Sequence, residues 1–206
     1  MNFDNFYSRK EHYFSRKQSG GMEEFIKKYS ISPCRAVDLG AGEGRNSIYL
    51  ASQGFEVIAI EPSLIGAAKI IQQCQDLNLY INVQSIDFLS CTDNIDNIGF
   101  LVALTSLEHM EYNYMLKAIE KIKQILYVGG YIYIIVFTED DPGFKCDLVN
   151  ASECSLFIKH YFKKNELRDL FSDFKILHYS EYMKEDKEHG PIHFHGKAKL
   201  LAQKVI

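Results

Sequence analysis

A glycine-rich turn after a short apolar segment is the part of the chain with the clearest potential for chemistry. Asp38 precedes Gly40, Gly42 and Gly44 in the order Asp-Leu-Gly-Ala-Gly-Glu-Gly. Glycines let the backbone turn sharply and approach a ligand that a Cβ atom would keep away. The apolar residues before the turn are typical of a strand covered on both faces, and residues 47–53 predict a helix after it. This order indicates a cofactor site at the carboxyl end of a parallel sheet.

The spacing of these glycines decides which cofactor the turn suits. A dinucleotide fingerprint, G-x-G-x-x-G, needs a third small residue where Arg45 stands, and the phosphate-binding pattern G-x-x-x-x-G-K-[ST] is absent. An acid two residues before G-x-G-x-G instead resembles the first motif of class I S-adenosylmethionine (SAM) methyltransferases. The turn would then accept the methionine moiety of SAM. The alternative is a tight strand-to-helix turn that binds no ligand, and Arg45 disfavours a nicotinamide enzyme.

Glu61 is the candidate for binding the ribose of the cofactor. It ends the apolar segment 55–60. It lies about 20 residues beyond the glycines, where an acid in Rossmann-like sites accepts hydrogen bonds from the ribose hydroxyls. The alternative is an acid at the start of the helix that Pro62 and Ser63 begin, where the helix dipole favours negative charge.

Two further strand ends complete the expected cofactor site. After a predicted third strand, Asp87 and Phe88 lie where the resemblance implies an acid at the adenine amino group and a hydrophobe at the adenine ring. The alternative for Asp87 is a solvated turn. After the predicted strand 98–105, Thr105 and Ser106 would line the methyl-transfer pocket. An (Asn/Asp/Ser)-Pro-Pro-(Tyr/Phe) sequence is absent here, which argues against a nucleic-acid base as substrate.

Histidines supply the candidate catalytic and acceptor-binding groups. His109 follows a strand end and is a candidate base, with an ordinary helix-start residue as the alternative. His189, His193 and His195 lie beside Lys197 in a predicted loop before the final strand, where they could hold the acceptor, form a lid or be a plain polar loop. His193 and His195 would share a face of a strand, as metal ligands do. No Cys or Asp lies beside them at ligand spacing, so we expect no metal.

The length and composition of the chain indicate a single globular domain. The chain has 206 residues and a formal net charge of −4, which gives no general attraction to nucleic acid or to an anionic membrane. Five scattered cysteines without a C-x-x-C pattern favour reduced thiols in the cytoplasm. We expect one domain over residues 1–206, with residues 1–30 as a cap segment and helix. We also expect a monomer or homodimer that acts on a small molecule and binds neither nucleic acid nor membrane.

The order of apolar segments predicts the fold that must position these residues. Strands and amphipathic helices alternate, which is typical of an α/β domain with helices on both faces of a mostly parallel sheet. We predict helices over residues 23–29, 63–75, 112–127 and 164–171, and later strands over residues 131–137, 174–182 and 197–206. The whole resembles a Rossmann-like class I methyltransferase domain, whose seven-stranded sheet ends in an antiparallel strand.

Four stretches sharpen the resemblance. Residues 13–19, 38–46, 138–140 and 193–202 resemble the tellurite-resistance methyltransferase (TehB-like) group. The resemblance implies that residues 13–19 close over bound SAM, with Arg16 near its methionyl end. It also implies methyl transfer to a small acceptor, possible acceptors being a thiol or a selenium or tellurium oxyanion. A non-catalytic SAM-binding module and a methyltransferase of an unrelated O- or N-acceptor are the alternatives.

The expectations for the site gather two groups of residues. The candidate catalytic residues are His109, His193 and His195. The expected cofactor-binding residues are Tyr13, Arg16, Asp38, Gly40, Ala41, Gly42, Arg45, Asn46, Glu61, Pro62, Asp87, Phe88, Thr105 and Ser106.

Overall fold

The structure, a computed structural model, describes residues 3–9, 20–91, 95–145, 151–152, 155, 157–187 and 192–206. Within these ranges the helices are α1 (Asp4–Tyr7), α2 (Met22–Lys28), α3 (Arg45–Ser52), α4 (Leu64–Leu77), α5 (Tyr112–Ile125) and α6 (Glu166–Leu170), with a 3₁₀ turn at Leu107–His109. The strands are β1 (Arg35–Leu39), β2 (Glu56–Ile60), β3 (Ile81–Gln84), β4 (Ile98–Leu104), β5 (Leu126–Phe137), β6 (Lys175–Asp186) and β7 (His193–Gln203).

The strands form one mixed sheet in the order β3-β2-β1-β4-β5-β7-β6. Neighbours from β3 to β5 pair in parallel, whereas β7 pairs antiparallel with both β5 and β6. The chain winds outward through β2 and β3 on one side of β1 and through β4 and β5 on the other. The crevice between the ends of β1 and β4 is therefore a topological switch point, where ligands bind in open α/β sheets. The predicted fold class, with its antiparallel last strand, is confirmed.

Helices cover both faces of the sheet because its central strands are apolar on both sides. Every residue of β4 is buried. On one face, Met22, Leu50 and Ile70 bring α2, α3 and α4 into a common core with the sheet. On the other face, Ile119 of α5 and Leu167 of α6 belong to a second core. A parallel strand covered on both faces needs a continuous apolar sequence, which is the pattern seen at β1, β2 and β4.

Several element boundaries differ from the predicted ones by up to five residues, as at β5, which begins at Leu126 and not at residue 131, and at β6, which ends at Asp186 and not at residue 182. The predicted helix 112–127 ends at Ile125, because Leu126 already pairs with Ile98 as the first residue of β5. The predicted strand 197–206 begins earlier, at His193, because residues 193–196 pair with the end of β6. The earlier start of this last strand matters for the site, since it places His193 and His195 in a strand instead of a loop.

Three predicted site residues, Tyr13, Arg16 and His189, lie outside the described residues. Among the helices that the structure describes, none has the length and apolar character needed to span a bilayer.

Candidate active site

The glycine turn lies at the switch point and is packed closely against the end of β4. The backbone N–H groups of Gly40 and Ala41 both donate to the carbonyl of Ile60, over 2.9 and 3.1 Å. Gly40 has a φ of +69°, and a Cβ atom added there would lie 2.4 Å from Cβ of Ser106. A side chain at this position would therefore meet both backbone strain and a steric clash. Glycine is therefore strongly favoured at this position.

Glu61 joins the carboxyl ends of β1 and β2. Its Oε2 accepts the backbone N–H of Gly42 over 2.7 Å, and its Oε1 accepts that of Ser63 over 2.8 Å. Burial raises the pKa of Glu61, and the two N–H donors oppose this by favouring the carboxylate. A carboxylate offers about four acceptor positions. Two therefore remain for a ligand diol, as the predicted ribose-binding role requires.

Asp38 is buried at the end of β1 and is held by the helix that follows the turn. Ser47 of α3 donates its Oγ–H to Oδ2 of Asp38 over 2.6 Å. Burial raises the pKa of Asp38 to about 6, whereas the bond from Ser47 and the charge of Arg45 lower it. Sequence reasoning did not select Ser47, which fixes the carboxylate beside the turn.

The other predicted residues near the turn differ in exposure. Ala41 and Asn46 are buried, whereas Pro62 is exposed. Arg45 begins α3 and reaches a cavity described below. Exposed Pro62 offers surface to a ligand, while buried Asn46 packs within the turn region.

Asp87 and Phe88 lie at the end of β3, but both are already engaged. Oδ1 of Asp87 accepts the hydroxyl of Tyr114 and, over 3.1 Å, the backbone N–H of Ser90. Hydrogen bonds from Ser90 and Tyr114 lower the pKa of Asp87, because they favour its carboxylate form. Phe88 is only 2% exposed and packs in the core beneath the Lys121 ammonium. Phe88 therefore has little accessible surface for an adenine ring.

Thr105 carries backbone strain at the end of β4. Its φ of +56° is rare for a β-branched residue. The Thr105 N–H donates to the carbonyl of Ile135 over 2.7 Å, and its hydroxyl donates to the carbonyl of Leu104 over 2.7 Å. Strain of this kind persists where the surrounding structure fixes it and clusters at functional sites. Among the described residues, the buried Oγ of neighbouring Ser106 has no hydrogen-bond partner.

A cavity of about 290 Å³ opens beside Thr105, and the charged residues that line it are cationic. We call it the basic cavity. Arg45 reaches it from α3, Lys184 from β6, and Lys197 and Lys199 from β7. Lys199 donates to the carbonyl of Gly20 over 2.8 Å, and the Lys197 ammonium lies 5.0 Å from the Phe137 ring centroid. Burial lowers the pKa of Lys197 to about 8. A larger open groove, of about 670 Å³ beside α5, is lined by none of the predicted site residues.

Glu108 is a buried acid that sequence reasoning missed. It is fully buried in the 3₁₀ turn after β4, and neither carboxylate oxygen has a hydrogen-bond partner of good geometry among the described residues. Burial raises its pKa to about 8, Lys197 opposes the rise and Asp141 adds to it. The signal in the sequence was a carboxylate between Leu107 and His109, directly after an apolar strand.

His109 has different neighbours from the other two candidate histidines, His193 and His195, whose ring centroids lie 4.8 Å apart. Nδ1 of His109 lies 3.1 Å from the carbonyl of Phe157, and its ring contacts Phe3 edge-on. Burial lowers the pKa of His109. His193 and His195 are buried in β7, and neither is among the residues that line the basic cavity. Their neighbour Lys197, predicted in the same group, does line it.

Helix α1 packs over the carboxyl edge of the sheet. Asp4 accepts the hydroxyl of Ser63, and the Tyr7 hydroxyl lies 3.1 Å from the position of a Cβ atom on Gly42. Lys69 of α4 donates over 2.6 Å both to the Tyr7 carbonyl and to Oε1 of Glu43 in the glycine turn. One lysine therefore ties the first helix to the turn, an arrangement that the sequence did not reveal.

Comparison with known proteins identifies the family of this chain. The sequence model of the family described as "Tellurite resistance protein TehB" matches residues 6–191. The "Probable S-adenosyl-L-methionine-dependent methyltransferase TehB" of Haemophilus influenzae is 30% identical over 187 residues, which cover 87% of this chain and 60% of that protein. The chain thus spans about 60% of the length of this relative.

Solved structures match as well. The crystal structure of TehB from Haemophilus influenzae is 28% identical, with a TM-score of 0.76 over 91% of this chain and 62% of that chain. A SAM-dependent methyltransferase structure from Methanosarcina mazei is 17% identical, with a TM-score of 0.71 over 92% and 99% of the two chains. At that identity the second likeness shows the fold alone.

Proposed function

This chain belongs to the tellurite resistance protein TehB family, and from that premise we propose that it is a SAM-dependent methyltransferase acting on a small anionic acceptor. The Haemophilus relative is described as a probable SAM-dependent methyltransferase, which supports the reaction. The basic cavity supports an anionic acceptor. Thiols and selenium or tellurium oxyanions are the acceptor classes proposed.

The cofactor would lie across the switch point. Glu61 would accept the ribose hydroxyls through its two remaining acceptor positions, and the turn from Gly40 to Gly42 would face the methionine moiety. Asp87 would accept from the adenine amino group. Bound SAM supplies an electrophilic methyl group on a sulfonium, which an acceptor lone pair attacks while the carbon–sulfur electron pair stays on sulfur. The chain's residues orient the two reactants and exclude water.

One observation carries the choice of acceptor, namely that Arg45, Lys184, Lys197 and Lys199 converge on a cavity beside strained Thr105. The whole chain has a net charge of −4, so this positive charge is local. A partly enclosed cavity of one sign concentrates small ions of the opposite sign. Arginine and lysine bind oxyanions through charge-assisted hydrogen bonds. A soft anionic nucleophile already carries its lone pair, so His109 need not act as a base.

The experiment is methyl transfer from labelled SAM to a panel of small acceptors, read out as S-adenosylhomocysteine formed. The panel holds selenite, tellurite, a thiol, and a neutral amine and alcohol as matched uncharged acceptors. The proposal expects turnover with the anionic or thiol members and little with the uncharged ones. SAM binding without turnover on any acceptor would favour a non-catalytic SAM-binding module. Transfer confined to the amine or alcohol would refute the anionic acceptor.

A further inference from the structure

The pairing of β6 with β7 builds a second cluster of chemically active side chains. Asp186 lies directly opposite His193 in the antiparallel ladder, and side chains two residues apart on a strand share a face. Asp186, His193 and His195 are all buried, and each offers one ligand atom within 4.8 Å of the others. In the sequence, no Cys or Asp lies beside these histidines at ligand spacing. Folding supplies an Asp from the neighbouring strand.

A carboxylate behind the cluster orients one of the histidines. Nδ1 of His195 lies 3.0 Å from Oδ2 of Asp141, which is completely buried. The Phe137 ring stacks on the same imidazole, with centroids 4.5 Å apart. Metal-binding histidines commonly donate one ring N–H to a carboxylate, which fixes the tautomer and leaves the other nitrogen for the metal. His195 has this carboxylate partner, so Nε2 is its nitrogen for a ligand.

The donor set and spacing fit a transition metal better than a hard cation. Two imidazoles and one carboxylate suit Zn²⁺, Co²⁺ or Fe²⁺, whereas Mg²⁺ and Ca²⁺ prefer oxygen alone. Ligands of a tetrahedral ion with bonds of about 2.1 Å lie roughly 3.4 Å apart, so modest side-chain rotations would close this cluster. Lys184 and Lys197 lie on the same face and oppose a cation, whereas the carboxylates of Asp186 and Asp141 offset them.

We propose that Asp186, His193 and His195 form a binding site for one divalent transition-metal ion, with Asp141 as the group that positions His195. Three protein ligands leave a fourth coordination position open to water or a small ligand. This role differs from the sequence-based expectation that the histidines hold the methyl acceptor. It does not depend on the methyltransferase activity, because metal binding is measured without SAM.

The test is titration of the full, tag-free, chelator-stripped chain with Co²⁺, followed by visible absorption, and with Zn²⁺, followed by calorimetry. The wild-type chain should bind one ion and give the absorption of a low-symmetry Co²⁺ site. His193→Ala and Asp186→Asn should weaken binding by more than about 100-fold, and Asp141→Asn by about 10- to 100-fold. His178→Ala is the matched control, because His178 lies on β6 and bonds to Ser180, outside the cluster.

Metal affinity in the folded variants decides whether the proposed site exists. Circular dichroism tests whether each variant is folded. If Asp186→Asn does not fold, His193→Ala alone provides the test of the site. Equal affinity in wild type and His193→Ala would overturn the site, as would a loss of binding in His178→Ala of the same size. Mg²⁺ binding as tightly as Zn²⁺ would overturn the assignment to a transition metal. SAM affinity is measured separately on the same samples. A wild-type chain that binds SAM but no metal contradicts the metal site, whereas one that binds metal but no SAM contradicts the proposed methyltransferase function.

Discussion

Gly42 donates its backbone N–H to Oε2 of Glu61 over 2.7 Å, and this bond joins the glycine turn after β1 to the acid that ends β2. The sequence analysis proposed the two residues separately as candidates for binding the cofactor. Their contact fixes the spacing between the positions proposed to meet the methionine moiety and the ribose. A change at either residue should therefore affect SAM binding, because it would alter this contact.

Replacing Glu61 by alanine should weaken SAM binding. The variant loses a charged acceptor for the ribose hydroxyls, which costs about 1.5–3 kcal/mol, or roughly ten- to over a hundredfold in affinity. Calorimetry with SAM measures it. Glu56→Ala is the control, since Glu56 is an exposed acid at the start of β2 and, among the described residues, forms a surface ion pair with Arg35. Unchanged SAM affinity in folded Glu61→Ala would remove Glu61 from the site.

The two glycines of the turn should differ in their tolerance of a methyl group. Gly40 and Gly42 have positive φ values, which cost an L-residue about 1–2 kcal/mol. At Gly40 the added Cβ would also lie 2.4 Å from Cβ of Ser106, whereas at Gly42 its nearest neighbour among the described residues is the Tyr7 hydroxyl at 3.1 Å. We expect Gly40→Ala to lower the free energy of unfolding by about 1–3 kcal/mol more than Gly42→Ala. Urea unfolding measures both, and equal losses would contradict the close packing of Gly40 on Ser106.

Glu108 should make stability depend on pH in a defined direction. Its pKa rises from 4.5 to about 8 on folding, so the folded state holds a proton that the unfolded state releases. The stabilisation is fully present below pH 4.5 and is lost as pH rises through about 8. Glu108→Gln removes this titration. Across that interval the free energy of unfolding of the variant should rise relative to wild type by on the order of a few kcal/mol.

Chemical unfolding of both proteins at several pH values across the interval supplies this difference, in which the other titrating groups cancel. A difference that stays constant with pH would show that Glu108 is ionised in the folded protein. The conservative Glu108→Asp variant, which keeps a buried acid, should retain the pH dependence of the wild type.

The parts of the site that lie close together in sequence were the ones that could be predicted. The spacing of Asp38, Gly40 and Glu61 depends on one strand, one turn and the next strand, so local pattern was sufficient. Asp186 was missed because it lies opposite His193 only through the pairing of β6 with β7. The predicted final strand began at Lys197, and that late start concealed this register.

The basic cavity could not be predicted for a related reason. Lys184 and Lys199 lie on two different strands, and they come close to Arg45 only once the sheet has formed. No local sequence pattern indicates this proximity. Glu108 was passed over because an acid in a loop is ordinarily solvated, and only the folded structure shows it buried. Phe88 was chosen for its type and position, whereas its packing in the core depends on α5.

The most direct test of the account is steady-state methyl transfer from SAM to the anionic acceptor that turns over best, comparing wild type with Lys184→Ala and Lys199→Ala. Losing one charge-assisted contact to the acceptor should raise its KM about tenfold or more, with SAM affinity unchanged. Lys175→Ala, an exposed lysine at the start of β6, should match wild type. Wild-type KM values in both cavity variants, or no methyl transfer from a chain that binds SAM, would contradict the account.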